Sequence, residues 1–379
     1  MIKKYFYYCC FLVFISVVNF SIGAKTSPVS ELNSKDILIK NVFIINGLGD
    51  LRKEGSVRIS GETIKSIGNL EETSRDIVID GNGLILAPGF IDTHSHHDEG
   101  LFIETGASAA ISQGITTIVR GMDGSASGLD ERGFTSLARY SNFYDSHPIA
   151  INVASFSAHN SIRSQVMGKD YKREASEDEI TRMQDLVALD MQAGAYGLST
   201  GLEYDPGIYS STKEVIALAK VAANYGGKYK SHIRSEDRYY WQAVNEIIEI
   251  GKQAQIPVNI DHWKLGAKFL WGKTSQVIEI LDAARAQGIE ITADVYPYVA
   301  WSSSITTLFP DRNFDDLNEA EFILENLASA EDIRFVHHSL HPEYVGKTVE
   351  EIALDAGVEN KVMLRQLASD SYLNEALNE

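Results

Sequence analysis

Residues 87–98 read Ala-Pro-Gly-Phe-Ile-Asp-Thr-His-Ser-His-His-Asp. The apolar pair Phe90 and Ile91 leads directly into His94 and His96, which stand two positions apart. In an extended strand, residues i and i+2 share a face, so this spacing points both imidazoles the same way. Such a pair supplies half of a divalent metal site, because imidazole binds zinc, iron or nickel. Two surface polar residues at the end of a strand explain this stretch alone equally well.

From residue 89 onward, apolar strands alternate with amphipathic helices. The sequence predicts strands at 89–96, 115–121, 148–155, 196–201, 228–234, 256–262 and 290–298. Ser176 with Glu179, and Ser211 with Glu214, are typical of capping boxes and predict helices over 179–192 and 213–223. Strands separated by helices of this size indicate parallel β/α units. Seven units in a row favour an α/β fold of the TIM-type barrel kind over an open sheet.

A small β domain is predicted ahead of the histidine motif, over residues 25–86, with the barrel over 87–379. Turn residues at Gly61-Glu62 and Asn82-Gly83 separate short apolar strands. These strands are predicted at 37–39, 42–45, 56–59, 64–67 and 77–80. The domain shows no pattern of catalytic residue types, so we interpret it as a structural, β-sandwich-like piece.

Residues 1–24 resemble a signal peptide. Lys3 and Lys4 form a positive start, and the apolar run 9–18 is interrupted only by Ser16 before small residues near Ala24. The run is short for a membrane-spanning helix, so an uncleaved anchor is the weaker alternative. We therefore predict export to the periplasm or the cell exterior. Both cysteines, at positions 9 and 10, fall in this segment, so the mature chain contains no disulfide and no cysteine metal ligand.

The net charge of the chain limits the classes of molecule that it is expected to bind. The 379-residue chain has 34 Lys and Arg against 52 Asp and Glu, a formal net charge of -18. This acidity argues against nucleic acid and anionic membranes as partners and is compatible with a small-molecule substrate. A hydrophobic fraction of 44% is sufficient for a large core.

Ionisable residues follow one predicted strand after another. Barrel enzymes build their sites at the carboxyl ends of the strands, and such clustering is difficult to explain by packing. The residues at these ends are Asp123, His159, Arg163, Glu203, His232, Asp261, His262, Lys264, Asp294 and Tyr296. A single histidine there is more often structural. His94, His96, His232 and His262 together indicate a metal site.

These motifs, taken in order, resemble the amidohydrolase superfamily and, within it, the N-acyl-D-amino-acid deacylases (D-aminoacylases). The resemblance covers residues 36–346 and its motifs are specific in combination. Besides the opening stretch, the matching segments are Gly-Ile-Thr-Thr-Ile-Val-Arg-Gly-Met-Asp-Gly, His-Asn-Ser-Ile-Arg, Gly-Leu-Ser-Thr-Gly-Leu-Glu-Tyr-Asp-Pro-Gly, Ser-His-Ile-Arg-Ser-Glu, Asp-His-Trp-Lys and Ala-Asp-Val-Tyr-Pro-Tyr.

The resemblance implies a zinc centre. His232 and His262 would hold the tighter zinc, and His94 and His96 would belong to a weaker second metal position. Related deacylases have a cysteine where this chain has Asp123. A carboxylate can bind zinc but is a harder ligand than thiolate, so Asp123 is either the third ligand or a turn residue before a glycine.

The resemblance also implies substrate-binding residues and a reaction. Lys264, Tyr296 and Ser302 match positions that bind the α-carboxylate of the substrate or polarise its scissile carbonyl, and a compact lysine cation suits a carboxylate. His159 and Arg163 belong to a motif that lines the site. Zinc would lower the pKa of a bound water and polarise the acyl carbonyl, while an aspartate at the end of strand eight would transfer the proton.

The chain departs from the family pattern after the segment at 341–347, because the turn with the general-base aspartate is expected well beyond it. Ser369-Asp370-Ser371 superficially resembles the turn with the general-base aspartate, but it lies in a stretch, 362–377, that is predicted to be helical. Residues 333–338 could form an eighth strand, yet no aspartate follows them. We therefore expect a truncated barrel without its last β/α unit, no identifiable catalytic base, and reduced or absent activity. An open barrel would also expose strand edges.

Three functions follow from the sequence. The first is zinc-dependent hydrolysis of N-acyl-D-amino acids. The second is cyclic-amide hydrolysis of the dihydroorotase or hydantoinase kind, which usually uses a carboxylated lysine between two metals. No lysine ends the third or fourth predicted strand, which argues against it. The third is a non-catalytic metal-binding remnant. The oligomeric state is left open.

Overall fold

The computed structural model describes residues 11–13, 35–97, 100–126 and 136–378. The chain divides into two compact units, Met1–Arg120 with Asn142–Ala154, and Gly121–Ser141 with Ser155–Glu379. The first unit thus continues past the domain boundary that the sequence predicts at residue 86. Apart from Phe11–Val13, the predicted signal segment lies outside the described residues.

Short strands make up much of the first unit. They are β1 (Phe11–Val13), β2 (Asp36–Ile44), β3 (Lys53–Ser60), β4 (Thr63–Gly68), β5 (Asp76–Asp80), β6 (Ile85–Pro88), β7 (Phe90–Asp92), β8 (Ile115–Arg120) and β9 (Asn152–Ser155). Two one-turn helices, α1 (Gly100–Ile103) and α2 (Ser108–Ile111), lie between β7 and β8. The predicted strands of the small β domain are all present.

The first six strands form one mixed sheet in the order β1-β6-β2-β3-β4, with β5 also paired to β2. The predicted strands 37–39 and 42–45 are one strand, β2, whose register shifts between Ile39 and Val42. The β3–β4 hairpin turns at Gly61, where a φ of 58° requires the freedom of glycine. Ile39, Val42, Val57 and Leu86 form the buried core of this sheet.

A second sheet of the same unit contains β7, β8 and β9 in that order, with β7 and β8 parallel. Its core contains Leu101, Ala110, Ile118 and Ile151. β7 ends at Asp92, so the predicted extension of this strand through His96 is wrong.

The second unit alternates strands and helices along the chain. Its elements are α3 (Leu137–Ser146, which runs into the first unit), β10 (Ser157–Ala158), α4 (His159–Met167), α5 (Glu177–Gln192), β11 (Gly197–Gly201), α6 (Thr212–Asn224), β12 (Lys228–His232), α7 (Tyr240–Ala254), β13 (Val258–Ile260), α8 (Thr274–Ala286), β14 (Ile291–Ala293), α9 (Leu317–Asn326), α10 (Val349–Ala356) and α11 (Asn360–Asn378).

Strands β10 to β14 form one parallel sheet in chain order, as the predicted β/α units require. In its register, Gly201 pairs with His232, and Ile260 pairs with both Ser231 and Ala293. The carboxyl ends of β11 to β14 are therefore level. Residues that follow these strands lie at the same edge of the sheet.

The two predicted helix starts differ. Ser176 and Glu179 form the complete capping box of α5. At α6, the Ser211 side chain accepts a hydrogen bond from the Glu214 backbone N–H. The Glu214 carboxylate does not accept the reciprocal hydrogen bond from the Ser211 backbone N–H and is fully buried. The second capping box is thus only half formed, because Glu214 has buried partners elsewhere.

Beyond β14, the described residues are mainly helical. Phe309, Ile323, Ile352 and Leu364 belong to a separate buried cluster of this region. The predicted 333–338 strand does not form, and Arg334 makes only an isolated bridge to Thr348. The helix predicted over 362–377 is present as α11 and contains Asp370. No helix in the described part of the chain is both long and apolar enough to span a membrane.

We predict that Ser176→Ala lowers the free energy of unfolding by about 1 kcal/mol, because it removes the acceptor for the Glu179 backbone N–H. Urea denaturation measures the change. Ser275→Ala is the control, since Ser275 is an exposed residue inside the first turn of α8. Equal effects of the two substitutions would contradict a stabilising cap at Ser176.

Candidate metal centre

Two histidines converge at the carboxyl edge of the parallel sheet in the second unit. His232 is the last residue of β12, and His262 follows β13 by two positions. His232 Nδ1 lies 3.0 Å from His262 Nε2, with the rings edge to face at 67°. His232 is buried, and the His262 side chain is only 12% exposed. The two nitrogens face one another in a water-poor environment.

Asp123 supplies an oxygen at the same place. Its Oδ1 lies 3.2 Å from His262 Nε2. Asp123 has a left-handed backbone with φ 52° in the short turn Met122–Gly124. Gly201 permits this approach, since a Cβ there would lie 2.1 Å from the Asp123 carbonyl oxygen. Asp123 is therefore a turn residue whose carboxylate also reaches the histidine pair.

His262 is held outside the strand. Its φ of 36° is left-handed, so the predicted strand 256–262 is wrong at its end, and β13 stops at Ile260. The His262 backbone N–H donates to Asp294 Oδ1 at 2.6 Å. Asp294 in turn accepts from Lys230 at 3.0 Å, and Lys230 also pairs with Asp261 at 3.1 Å. This buried ion network directs the imidazole towards His232.

These donor atoms fit a divalent metal ion. Ligands of a tetrahedral zinc at 2.0–2.1 Å lie about 3.3 Å apart. His232 Nδ1 and Asp123 Oδ1 lie 3.0 and 3.2 Å from His262 Nε2, which is close to that separation. Two imidazoles and a carboxylate form a nitrogen and oxygen ligand set that suits zinc and related transition metals. His232, Glu236 and His262 form a group whose ligand atoms all lie within 4.8 Å of one another.

Two buried glutamates bond the opposite nitrogens of these rings. Glu203 Oε2 lies 2.7 Å from His232 Nε2, and Glu236 Oε1 lies 2.9 Å from His262 Nδ1. Neither glutamate is predicted from the sequence to have a role in this site. The available signals were the position of Glu203 two residues after β11 and the Ser-His-Ile-Arg-Ser-Glu segment that ends at Glu236.

The electrostatics of this cluster favour a positive charge at His262. Burial alone would lower the pKa of His262, but hydrogen bonds to Asp123 and Glu236 outweigh it and raise the pKa to about 10. Burial would raise the pKa of Glu236, yet His232, His262 and Lys264 lower it to about 2. Burial raises the pKa of Glu203 against the opposing hydrogen bond of His232. A divalent cation can supply this positive charge in place of a proton.

Lys264 and Tyr296, two of the five predicted substrate-binding residues, lie together. Lys264 Nζ lies 5.8 Å from the centre of the Tyr296 ring and 2.6 Å from Glu236 Oε1. Burial and the Glu236 charge raise the pKa of Tyr296 to about 12, so its hydroxyl stays protonated. Ser302 is exposed on the segment after β14. Its neighbour Ser303 donates to the hydroxyl of Tyr204, whose ring lies 4.3 Å from that of His232.

His159 and Arg163, predicted to bind substrate, are fully buried and bonded inside the protein. His159 Nε2 lies 2.8 Å from Glu214 Oε1, and Arg163 Nη1 lies 3.3 Å from Glu214 Oε2. Arg163 also donates to the carbonyl of Pro206 at 3.1 Å. These bonds link α4 to α6, and the role of both residues in substrate binding stays a prediction.

The histidine pair of the opening motif belongs to the first unit. His94 Nε2 and His96 Nε2 lie 3.2 Å apart, with the ring centres at 5.2 Å. Both residues follow β7 in a bend, where the Ser95 N–H donates to the Val119 carbonyl at 3.0 Å. The two imidazoles do converge, but through this bend and not through a shared strand face.

Comparison with known proteins identifies related sequences. Residues 77–294 match the model of the amidohydrolase family. Over 360 residues the chain is 34% identical to an N-acyl-D-glutamate deacylase of Alcaligenes xylosoxydans xylosoxydans, an alignment with 91% of this chain and 70% of the relative. It is 32% identical over 292 residues to a D-aminoacylase of the same organism. That alignment covers 73% of this chain and 60% of the relative.

A solved structure supports the same relationship. The N-acyl-D-glutamate deacylase of Bordetella bronchiseptica, in complex with zinc and a phosphonate inhibitor, matches with a TM-score of 0.77 and 30% identity. The match covers 88% of this chain and 70% of that structure. The chain thus spans between 60% and 70% of the length of these relatives.

We predict that Glu214→Gln destabilises the protein by about 3 kcal/mol or more, because it leaves the buried Arg163 cation without its counter-charge. Urea denaturation at neutral pH measures the loss. Glu177→Gln is the control, since its ion pair with Lys213 is exposed and should contribute less than about 1 kcal/mol. A similarly small effect of Glu214→Gln would contradict a structural role of the buried network.

Proposed function

The chain belongs to the amidohydrolase family, with its TIM-type barrel and N-terminal β piece, and from its N-acyl-D-amino-acid deacylase relatives we propose that it is a metal-dependent enzyme that hydrolyses the amide bond of N-acyl-D-amino acids. The observation that carries this proposal is the convergence of His232, His262 and Asp123 at the carboxyl edge of the parallel sheet. This edge is where such folds build their active sites.

Zinc is the proposed metal. His232, His262 and Asp123 would hold it, and the absence of cysteine outside residues 9 and 10 leaves only nitrogen and oxygen ligands. When bound, zinc supplies a Lewis acid and a water of lowered pKa. His94 and His96, whose Nε2 atoms lie 3.2 Å apart, are proposed as ligands of a second, weaker position.

The remaining site residues bind and orient the substrate. We propose that Lys264 binds its α-carboxylate, because this cation lies beside the cluster and is held there by Glu236. The protonated Tyr296 hydroxyl, near Lys264, can donate to the acyl carbonyl. Ser302 remains a proposed contact from the exposed segment after β14. These groups fix the amide in one orientation before reaction.

We assign no general base. In the described part of the chain, residues 333–338 form no strand, and Asp370 lies within α11. Cyclic-amide hydrolysis is the less favoured alternative, since β9, β10 and β11 contain no lysine for carboxylation. Export remains a proposal that rests on Lys3, Lys4 and the apolar run after them.

The chain beginning at Lys25 is predicted to retain zinc and to release amino acid from an N-acetyl-D-amino acid faster than from its L-enantiomer. Metal analysis and an amine-release assay measure both properties. His232→Ala with His262→Ala should remove the zinc, whereas His147→Ala should not, because His147 is exposed and stacks on Phe143.

Three outcomes distinguish the proposals. Zinc with D-selective hydrolysis supports the deacylase. Zinc without hydrolysis of either enantiomer supports a metal-binding remnant and contradicts the enzymatic proposal. A folded chain that retains no zinc contradicts both.

A further inference from the structure

We propose that Arg312 is a positioning residue, whose guanidinium holds two parts of the chain together beside the candidate metal centre. The first part is the loop that follows β11, residues 202–206, called here the β11 loop. The second is the start of the segment that follows β14, residues 294–309, called the β14 segment. The inference rests on the proposed function, because the proposed substrate contact Ser302 lies in the β14 segment.

The guanidinium of Arg312 donates hydrogen bonds to both parts. In the β11 loop, Nη2 donates to the Glu203 carbonyl and Nε donates to Asp205 Oδ1, each at 2.8 Å. In the β14 segment, Nη1 donates to the carbonyls of Thr306 and Phe309, at 3.1 and 2.8 Å. One side chain thus joins two stretches that are about a hundred residues apart in the sequence.

This arrangement requires an arginine. A guanidinium is planar and presents five N–H donors in fixed directions, whereas the ammonium of lysine is a compact point charge. The Arg312 side chain is only 5% exposed, so its hydrogen bonds form away from water, where charged bonds are strong. The Arg312 backbone N–H also donates to the Phe309 carbonyl at 2.9 Å. Both its backbone and its side chain are therefore bonded to the β14 segment.

The two parts meet at Tyr204, which lies between the two residues of the β11 loop that Arg312 bonds. The Tyr204 ring lies 4.3 Å from the His232 ring. Its hydroxyl accepts a hydrogen bond from Ser303 Oγ at 3.4 Å. Ser303 is the neighbour of Ser302, so the position of Ser302 relative to the candidate metal centre depends on this junction.

Holding the two parts together has a consequence for substrate binding. Without the bonds of Arg312, the β14 segment would adopt more positions, and the substrate would have to order it on binding. Ordering a side chain or loop weakens binding, because conformational freedom is lost. The loss would apply equally to the bound substrate and to the transition state. Such a uniform loss of binding raises KM and leaves kcat unchanged.

The first test compares the zinc-loaded Arg312→Lys variant with the unmodified chain, using N-acetyl-D-methionine and N-acetyl-D-glutamate. Lysine keeps the positive charge beside Asp205 but cannot bond both parts at once. We expect KM to rise by about tenfold and kcat to change by less than about threefold, with the zinc content unchanged. Arg285→Lys is the matched control, because Arg285 donates to the Ile291 carbonyl and to Asp282, at 2.9 and 2.7 Å, outside both parts.

The second test needs no turnover. Tyr298 and Trp301 of the β14 segment are 74% and 47% exposed, and Tyr225, the residue after α6, is 47% exposed. Chymotrypsin cleaves after such residues, and mass spectrometry measures the rate at each site. Arg312→Lys should speed cleavage after Tyr298 or Trp301 by about tenfold and leave cleavage after Tyr225 unchanged. An arginine that only stabilises the whole fold would affect all three sites in proportion, because each would then be cleaved after global unfolding.

Ser303→Ala tests the same junction without a risk to folding. Ser303 is exposed, and the substitution removes its contacts with Tyr204 and Thr307 while it leaves the bonds of Arg312 in place. We expect KM to rise by about threefold, with kcat and zinc content unchanged. An unchanged KM would contradict the role of this junction.

The possible failures are distinct. If the unmodified chain hydrolyses neither substrate, the proposed function fails, and the chymotrypsin pattern alone decides whether Arg312 holds the β14 segment. If Arg312→Lys matches Arg285→Lys in both KM and cleavage, only this inference is overturned. Faster cleavage at all three sites in proportion also overturns it. A raised KM together with faster cleavage confined to the β14 segment supports it.

Discussion

Hydrogen bonds between buried carboxylates and imidazoles determine the positions of the histidine rings at the carboxyl edge of the parallel sheet. Glu203 with His232, and Glu236 with His262, are charges or dipoles withdrawn from water, and each would be costly without its partner. Because the partners are present, the two rings are held with one nitrogen of each facing the other. The position of Asp123, the setting of Lys264 and the fit to a metal ion all depend on this arrangement.

Buried ion pairs also hold the residues around the candidate metal centre. Lys230 lies between Asp261 and Asp294, and Asp294 holds the backbone of His262 in its left-handed conformation. Glu214 neutralises Arg163 and bonds His159 in the interior between α4 and α6. The chain thus uses buried ion pairs to fix short strand ends. Removing one partner of such a buried pair is strongly destabilising, because the other charge is then left buried without compensation.

Much of this architecture could be predicted from the sequence. The parallel β/α units follow from the alternation of apolar strands and helices, and the start of α5 follows from its capping box. The family follows from motifs such as Asp-His-Trp-Lys. The comparisons confirm both the family and the barrel. Strand ends were less predictable. β7 and β13 stop early because the side chains of Asp92 and Asp294 accept backbone N–H groups, which periodicity does not detect.

The hydrogen-bond partners of buried side chains also could not be predicted from the sequence. Glu214 has the spacing of a capping box, yet its carboxylate is bonded to His159 and Arg163, since a buried arginine needs a counter-charge more than a helix end needs a second cap. For the same reason a motif that contains His159 and Arg163 could not reveal whether they face a ligand. Asp123 could be a turn residue or a ligand, and its left-handed backbone now allows both roles.

Anomalous diffraction at the zinc edge, from crystals of the zinc-loaded chain, tests the central claim most directly. The account predicts an anomalous peak within bonding distance of His232 Nδ1, His262 Nε2 and a carboxylate oxygen of Asp123. Glu203 and Glu236 should remain bonded to the opposite ring nitrogens. A zinc peak away from His232 and His262, or one bound through the nitrogens that now face the glutamates, would contradict it.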